Sequence, residues 1–294
     1  MALRIDPHVH SALSDGTDSP RELLEKAVAV GLDVIGAMDH DTFDHWDAFR
    51  KAHAEMLAVG GNPPAIILGS EVSTSVNHAP IHLLAYLPDP SRGNIAAVLK
   101  NAHHDRLARM KRMVAKINVD YPLTWEDVEA EITGLTPGRP HIGDALVRKG
   151  YFPTRQEAFE KALNPGSPYY VFRPNIDTFE VVEATLADGG VPVIAHPFSK
   201  GRAKHVLAPE VVRDLAKAGV KGIEVNHREM VGEARQLAWD LAQELGLFVS
   251  GASDYHGTGK PNRLGENTMP EESLRIILEL GVVPLLGSIE FTER

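Results

Sequence analysis

Histidines and carboxylates recur at the ends of apolar runs along this chain, from Asp6-Pro7-His8-Val9-His10 at one end to Asp254-Tyr255-His256 at the other. In an extended strand, side chains two apart share a face, so His8 and His10 present two imidazoles together. Neutral imidazole binds divalent metal readily, and two on one face form half a site. A lone His-x-His reads equally well as a solvated strand end, so other ligand types must decide. They are present. His40 follows the apolar run 33–38, Glu71 follows 65–69, His82 lies inside 81–86, and His196 follows 191–195. Asp254 and His256 follow 247–251, and Asp15 stands in the turn Ser14-Asp15-Gly16-Thr17.

Each residue has a structural reading of its own. His40 beside Asp41 could cap a helix, Glu71 could be a paired surface carboxylate, and His82 could be a satisfied core histidine. His196-Pro197 could be a turn, and Asp254 with His256 could form a loop ion pair. Taken together, ligand-type residues on so many strand ends favour a metal centre over this set of coincidences. A Glu directly after Ile66-Ile67-Leu68-Gly69 also needs a partner if it is buried. His45, His53, His103, His104 and His205 fall in helical or loop contexts and read as solvated surface, while His78 and His227 fit either reading.

Composition limits the chemistry. The 294 residues contain no cysteine, which excludes disulfides, thiolate zinc sites and cysteine nucleophiles, so any metal must be held by nitrogen and oxygen. A formal net charge of −10 argues against non-specific binding to duplex nucleic acid. A pocket for a small anionic substrate remains compatible with it, because bound metal ions invert the local field. No secretory signal and no membrane-length apolar run is visible, so a cytoplasmic location without a membrane or an obligate protein partner is expected.

The elements that must position these residues alternate. Strands are predicted at 3–5 leading into the first motif, 33–38, 65–69, 81–86, 191–195, 221–225 and 247–251. Helices are predicted after Ser19, which opens a capping box with Glu22 and ends at Gly31, and over 46–58, 209–218, 232–245 and 270–280. Asp177 caps another helix running to Ala187. Between residues 93 and 174 strand signals vanish and helices dominate, at 94–118, 124–132, 141–149 and 154–162, the last opened by the capping box Thr154-Arg155-Gln156-Glu157. The pattern is an α/β parallel sheet or barrel, over 1–92 and 175–294, with a helical insertion over 93–174. Functional residues of such barrels sit at the carboxyl ends of the strands, where these polar residues fall.

The assembled motifs resemble the PHP (polymerase and histidinol phosphatase) family of metal-dependent phosphoesterases. The matching stretches are Asp6-Pro7-His8-Val9-His10, Ser14-Asp15-Gly16, Asp39-His40-Asp41-Thr42, Gly69-Ser70-Glu71-Val72-Ser73, His82-Leu83-Leu84-Ala85-Tyr86, Ala195-His196-Pro197 and Gly251-Ala252-Ser253-Asp254-Tyr255-His256. Met38 stands where the family usually has Thr, and Pro7 replaces a common Leu; neither removes a ligand.

The resemblance implies a distorted seven-stranded (β/α) barrel with three divalent metals, Mn²⁺, Fe²⁺ or Zn²⁺. One would be held by His8, His10, Glu71 and Asp254, a second by Glu71, His82 and His196, and a third by Asp15, His40 and His256. It further implies in-line attack on phosphorus by a metal-bound hydroxide, with no side chain assignable as leaving-group acid. The inserted helices would cap the substrate. Arg139, His141 and Arg173 are candidates for gripping a second phosphate, the basic loop of Lys200, Arg202 and Lys204 is another, and Tyr169, Tyr170 and Phe172 could stack on a base. The expected substrate is a small nucleotide or short oligonucleotide, first a nucleoside 3′,5′-bisphosphate losing its 3′-phosphate. A 5′→3′ exoribonuclease, a histidinol-phosphate phosphatase and a non-catalytic metal-binding module are the alternatives.

Overall fold

Six of the seven apolar runs become strands over most of their length, while the first strand starts at Ile5 and takes in the motif Asp6-Pro7-His8-Val9 itself. The computed structural model describes residues 2–77, 79–132, 134–172, 176–199 and 207–291. Its strands are β1 (Ile5–Val9), β2 (Val34–Ala37), β3 (Ala65–Val76), β4 (Ala79–Tyr86), a two-residue β5 (Ile176–Asp177), β6 (Val191–Ala195), β7 (Gly222–Asn226) and β8 (Phe248–Gly251). Seven of them follow the order β1-β2-β3-β4-β6-β7-β8, and β5 pairs with β3 off that path. Beyond β8 the chain returns to β1: Val9 bridges Tyr255, Asp254 N donates to His8 O (3.1 Å) and His10 N donates to Tyr255 O (2.9 Å). The result is a nearly closed barrel. Every residue of β1, β2 and β6 is buried, as expected of strands covered on both faces.

The barrel departs from a parallel one at β4, which runs antiparallel to both β3 and β6. Only Asn77 and His78 separate β3 from β4, too few for a crossover, so the pair must form a hairpin. β3 also continues to Val76 instead of ending near Glu71, which puts Glu71 mid-strand, opposite Leu84.

Local signals explain the helices around the barrel. Helix α1 (Pro20–Ala29) begins at Ser19, whose hydroxyl accepts from Glu22 N (3.3 Å) while Ser19 N donates to Glu22 Oε2 (2.8 Å). It stops where Gly31 takes φ 70. Helix α2 (Trp46–Ala58) buries Trp46, Phe49, Ala52, His53 and Met56. His45 and His53 are therefore not solvated surface. The His45 ring is wholly buried, bonded through Nε2 to Ala37 O (3.2 Å) and edge-on to Phe49, and His53 is 5% exposed. Burial holds both imidazoles below their ordinary pKa, so the neutral form is favoured. The spacing 46-49-53-56 already marked His53 as part of the apolar stripe.

The chain divides into two compact units, Met1–Val98 with Asn175–Arg294, and Leu99–Pro174. The first contains the barrel and its core, where Ile5, Ile35, Ile66, Ile67 and Leu84 are fully buried; each such side chain contributes about 1.5–3 kcal/mol. The second has a core of its own, including Met113, Ile117, Leu123, Ile142, Leu146 and Leu163. It is built from the greater part of α3 (Asn94–Ile117), with α4 (Trp125–Glu129), α5 (Arg139–Arg148) and α6 (Arg155–Ala158), which runs into a π-helical turn at Phe159–Leu163. The Thr154 box is half formed: Thr154 Oγ1 accepts from Glu157 N, but the Glu157 carboxylate pairs with Lys161. The remaining helices are α7 (Thr178–Ala187), α8 (Pro209–Ala218), α9 (Glu233–Leu245) and α10 (Glu271–Leu280). Among the described residues, no helix is long and apolar enough to cross a membrane.

Candidate metal centre

Glu71 is the hub. Its Oε2 lies 3.1 Å from His8 Nε2, 3.0 Å from His10 Nε2 and 3.3 Å from His40 Nε2. Its Oε1 lies 2.6 Å from His82 Nδ1 and 3.1 Å from His196 Nε2. Five imidazoles from four separate stretches thus face one fully buried carboxylate. Asp254 Oδ1 adds a second acceptor, 3.4 Å from His10 Nε2 and 3.7 Å from His8 Nε2. Asp15 Oδ1 stands 3.1 Å from His256 Nε2, and its Oδ2 stands 3.7 Å from His40 Nε2.

These nine residues fall into three groups, each with one ligand atom per residue within 4.8 Å of the others: His8, His10, Glu71 and Asp254; Glu71, His82 and His196; and His10, Asp15, His40 and His256. Glu71 bridges two groups, as expected. His10 also belongs to two, which spacing alone did not indicate: Nε2 faces Glu71 while Nδ1 lies 3.6 Å from Asp15 Oδ1.

The donor set fits divalent metal. Two ligands at about 2.0–2.2 Å from one ion, at right angles or slightly wider, stand roughly 3.0–3.5 Å apart, and most of these separations lie there. His8 Nε2 and His10 Nε2 point at each other across 3.0 Å. Glu71 Oε2 and His10 Nδ1 are buried yet satisfy hydrogen-bond geometry with no group. Buried polar atoms are normally paired, so atoms aimed at shared points without hydrogen bonds are arranged for a cation.

Electrostatics agree. Burial pushes Glu71 up, but the imidazoles of His82, His8 and His40 outweigh it and hold the carboxyl well below its usual range. Asp254 is likewise held low against burial, by His10 and His227. Burial pushes His8 down, yet Glu71 and Glu224 carry it well above the ordinary imidazole value. His196 and Asp254 both take positive φ, 27 and 52, a strained backbone tolerated where the surroundings fix the residue.

Behind the nine stand residues that the sequence reading did not assign to the site. Glu224, buried in β7, accepts from His8 Nδ1 (3.0 Å) and from His196 N (2.9 Å). With Nδ1 of His8 donating, its Nε2 lone pair faces the cluster, the usual carboxylate–histidine arrangement behind a metal. The rule applied to Glu71, that a Glu in an apolar run needs a partner, would have found Glu224 in Gly222-Ile223-Glu224-Val225. Asp39 accepts from Ser11 N (2.7 Å), Ser11 Oγ (2.6 Å) and Ser14 Oγ (2.6 Å), which fixes the turn carrying Asp15. Asp6 accepts from Ser253 N (3.0 Å) and Ser253 Oγ (2.5 Å), tying β1 to the segment that carries Asp254. His227, ambiguous by sequence, is buried with Nε2 3.6 Å from Asp254 Oδ2. Met38 is buried against Gly69, where a Cβ would strike its side chain.

Arg139 and His141 belong to the helical unit. Arg139 Nη1 donates to Leu163 O (3.0 Å), and its guanidinium lies over the rings of Phe159 and Tyr170. His141 Nδ1 accepts from Gly138 N (3.0 Å) and so caps α5. Tyr169 donates to Asp120 Oδ2 (2.7 Å), Tyr170 stacks against Arg109, and Phe172 is exposed. His103 and His104 are exposed, as read. Arg173, Lys200, Arg202, Lys204, His78 and His205 lie outside the described residues.

Residues 6–163 match the sequence pattern of the PHP domain. The chain belongs to the PHP family. A 3′,5′-nucleoside bisphosphate phosphatase of Chromobacterium violaceum is 30% identical, over 88% of this chain and 89% of its own length. A 5′-3′ exoribonuclease of Haemophilus influenzae is 29% identical, over 91% and 95%. Among solved structures, a candidate metal-dependent phosphoesterase from Bifidobacterium adolescentis superposes with a TM-score of 0.83 at 39% identity, covering 96% of this chain and 98% of its own. This PHP chain is a metal-dependent phosphoesterase, a hydrolase, which removes the non-catalytic alternative.

Proposed function

We propose that this PHP phosphoesterase removes the 3′-phosphate from nucleoside 3′,5′-bisphosphates, using a three-ion centre held by His8, His10, Asp15, His40, Glu71, His82, His196, Asp254 and His256. The observation that carries the reading is Glu71, whose two oxygens serve two separate groups of imidazoles while a third group gathers at Asp15. Divalent ions held this way neutralise phosphoryl oxygens and acidify water toward neutral pH. The chain's own residues set that chemistry up. Glu224 orients His8 and fixes the His196 backbone, Asp39 holds the Asp15 turn, and Asp6 holds the segment of Asp254. The bisphosphate phosphatase of Chromobacterium violaceum supports this substrate class, matching nearly nine-tenths of either chain. Arg139 and His141 of the helical unit, with Arg173, are our candidates for the second phosphate, by charge-assisted contacts.

The exoribonuclease of Haemophilus influenzae, nearly as similar, favours a second reading with the same ligand set, hydrolysis of short RNA from its 5′ end. One pair of assays separates the two. Metal-replete protein with Mn²⁺ is given adenosine 3′,5′-bisphosphate, and in parallel a short 5′-phosphorylated RNA. The proposal expects inorganic phosphate and adenosine 5′-monophosphate from the first. Mononucleotides from RNA with no phosphate from the bisphosphate would replace it with the nuclease reading. Turnover of neither would reject both.

A further inference from the structure

The loop after β8 brings a cation to the ligand set. The two oxygens of Asp254 face different ways. Oδ1 looks into the cluster toward His8 and His10, whereas Oδ2 meets Lys260 Nζ at 3.0 Å and His227 Nε2 at 3.6 Å. Lys260 lies four residues past His256, on a loop whose path is fixed on both sides. Thr258 N donates to Thr17 Oγ1 (2.9 Å), and Asn262 Nδ2 donates to Ser253 O (2.7 Å) and Asp254 O (3.3 Å). The Lys260 side chain is 26% exposed, enough to remain within reach of a molecule arriving from solvent. An ammonium group carries three N–H donors, and among the described residues Asp254 Oδ2 is the acceptor that Lys260 meets.

We propose that Lys260 is a substrate-binding residue of this centre, its ammonium holding a phosphoryl oxygen of the phosphate ester while it keeps Asp254. The inference rests on the phosphoesterase reading and deepens it by assigning a protein cation to the phosphate. When Asp254 gives Oδ1 to a metal, its negative charge is drawn inward, and the Lys260 donors left over face an anion at the edge of the cluster. A lysine suits this task as a compact point charge that follows a phosphate through several orientations. A purely structural role predicts something different, since a lysine that only neutralises Asp254 would affect metal retention and leave phosphate binding alone.

The test uses inorganic phosphate as the probe, titrated calorimetrically into Mn²⁺-loaded protein whose metal content is measured in the same samples. Lys260→Met is expected to weaken phosphate binding about tenfold at unchanged metal content, and Lys260→Arg to recover most of the loss. Lys260→Met that binds phosphate like the wild type per loaded protein overturns the proposal, whether or not it loses metal. So does wild-type protein, fully loaded, that binds no phosphate. Because the probe is free phosphate, these results are independent of which nucleotide is hydrolysed, and failure of the bisphosphate assay is distinguishable from failure here.

Discussion

The metal centre and the helical unit treat their polar side chains in opposite ways. In the helical unit Arg155, Arg148, Lys149 and Arg139 all meet acceptors of the same unit: Arg155 forks onto Asp144 (2.6 and 2.7 Å), Arg148 reaches Asp127 O (2.7 Å), Lys149 pairs with Asp127 (2.7 Å) and Arg139 bonds Leu163 O. In the barrel, Glu71 and its five histidines converge at bonding distance while Glu71 Oε2 and His10 Nδ1 make no hydrogen bond. Side chains satisfied by their neighbours stabilise a fold. Buried ones whose ligand atoms converge, with some left out of every hydrogen bond, are arranged to hold a cation. That contrast is the physical basis for assigning the chemistry to the barrel.

Substitutions can break or sharpen it. The largest effect is expected at Glu71, since Glu71→Gln removes a charge shared by two ligand groups. It should lower kcat/KM by at least about a thousandfold and reduce bound metal, read by kinetics and elemental analysis. His196→Ala should likewise abolish turnover with the fold retained by circular dichroism; a near-wild-type rate at full metal loading would show the assigned site to be wrong. Next comes Glu224→Gln, which touches no ion directly and should reduce metal affinity or activity by about 10–100-fold. If Glu224→Gln matched wild type in both, the support behind His8 would be ordinary core packing.

The helical unit supplies the intermediate case. Arg139→Ala should raise KM for a nucleoside 3′,5′-bisphosphate about tenfold, yet leave KM for a nucleoside 3′-monophosphate nearly unchanged, and cost about 1 kcal/mol of stability from the lost Leu163 bond. Equal KM changes for both substrates would confine Arg139 to packing. The smallest effect belongs to a buried histidine outside the ligand groups. The His45 pKa is depressed by burial, so the unfolded chain binds more protons below the ordinary 6.5, and folding stability falls as pH drops through that value. His45→Leu should make that fall shallower in denaturant titrations while changing stability near neutral pH by only about 1 kcal/mol. An unchanged slope would mean that other groups carry the acid sensitivity.

Much of this was legible in the sequence because the signals were local. Apolar runs mark the seven barrel strands, Ser19 and Asp177 mark helix starts, and the loss of strand signals after residue 92 marks the helical stretch. Eight of the nine ligand-type residues could be nominated because they follow or interrupt an apolar run, and Asp15 because it stands in the turn after the first. What stayed hidden depends on partners far along the chain. Glu224 is explained by His8, 216 residues away, and by the His196 backbone, 28 residues away. Arg139 is held by a carbonyl 24 residues on, which no helix pattern reveals. The reversal of β4 stayed hidden because the strand read over 65–69 runs on to Val76, and only that extension shortens the connection to Asn77-His78. His45 escaped because a histidine just ahead of a helix resembles a solvated cap, and only the Ala37 carbonyl shows it turned inward.

The bridge between Val9 and Tyr255 has a further consequence. Candidate ligands flank it on both sides, His8 on β1 with His10 just past its end, and Asp254 and His256 on the returning segment. An ion held by His8, His10 and Asp254 would therefore tie the first strand of the barrel to the segment that returns from the last. Nearly the whole chain lies within that loop, and closing long loops in this way removes the most freedom from an unfolded chain. Loading the centre would thus act as a reversible crosslink at the barrel's seam, so that the cations needed for hydrolysis also decide how long the barrel stays shut.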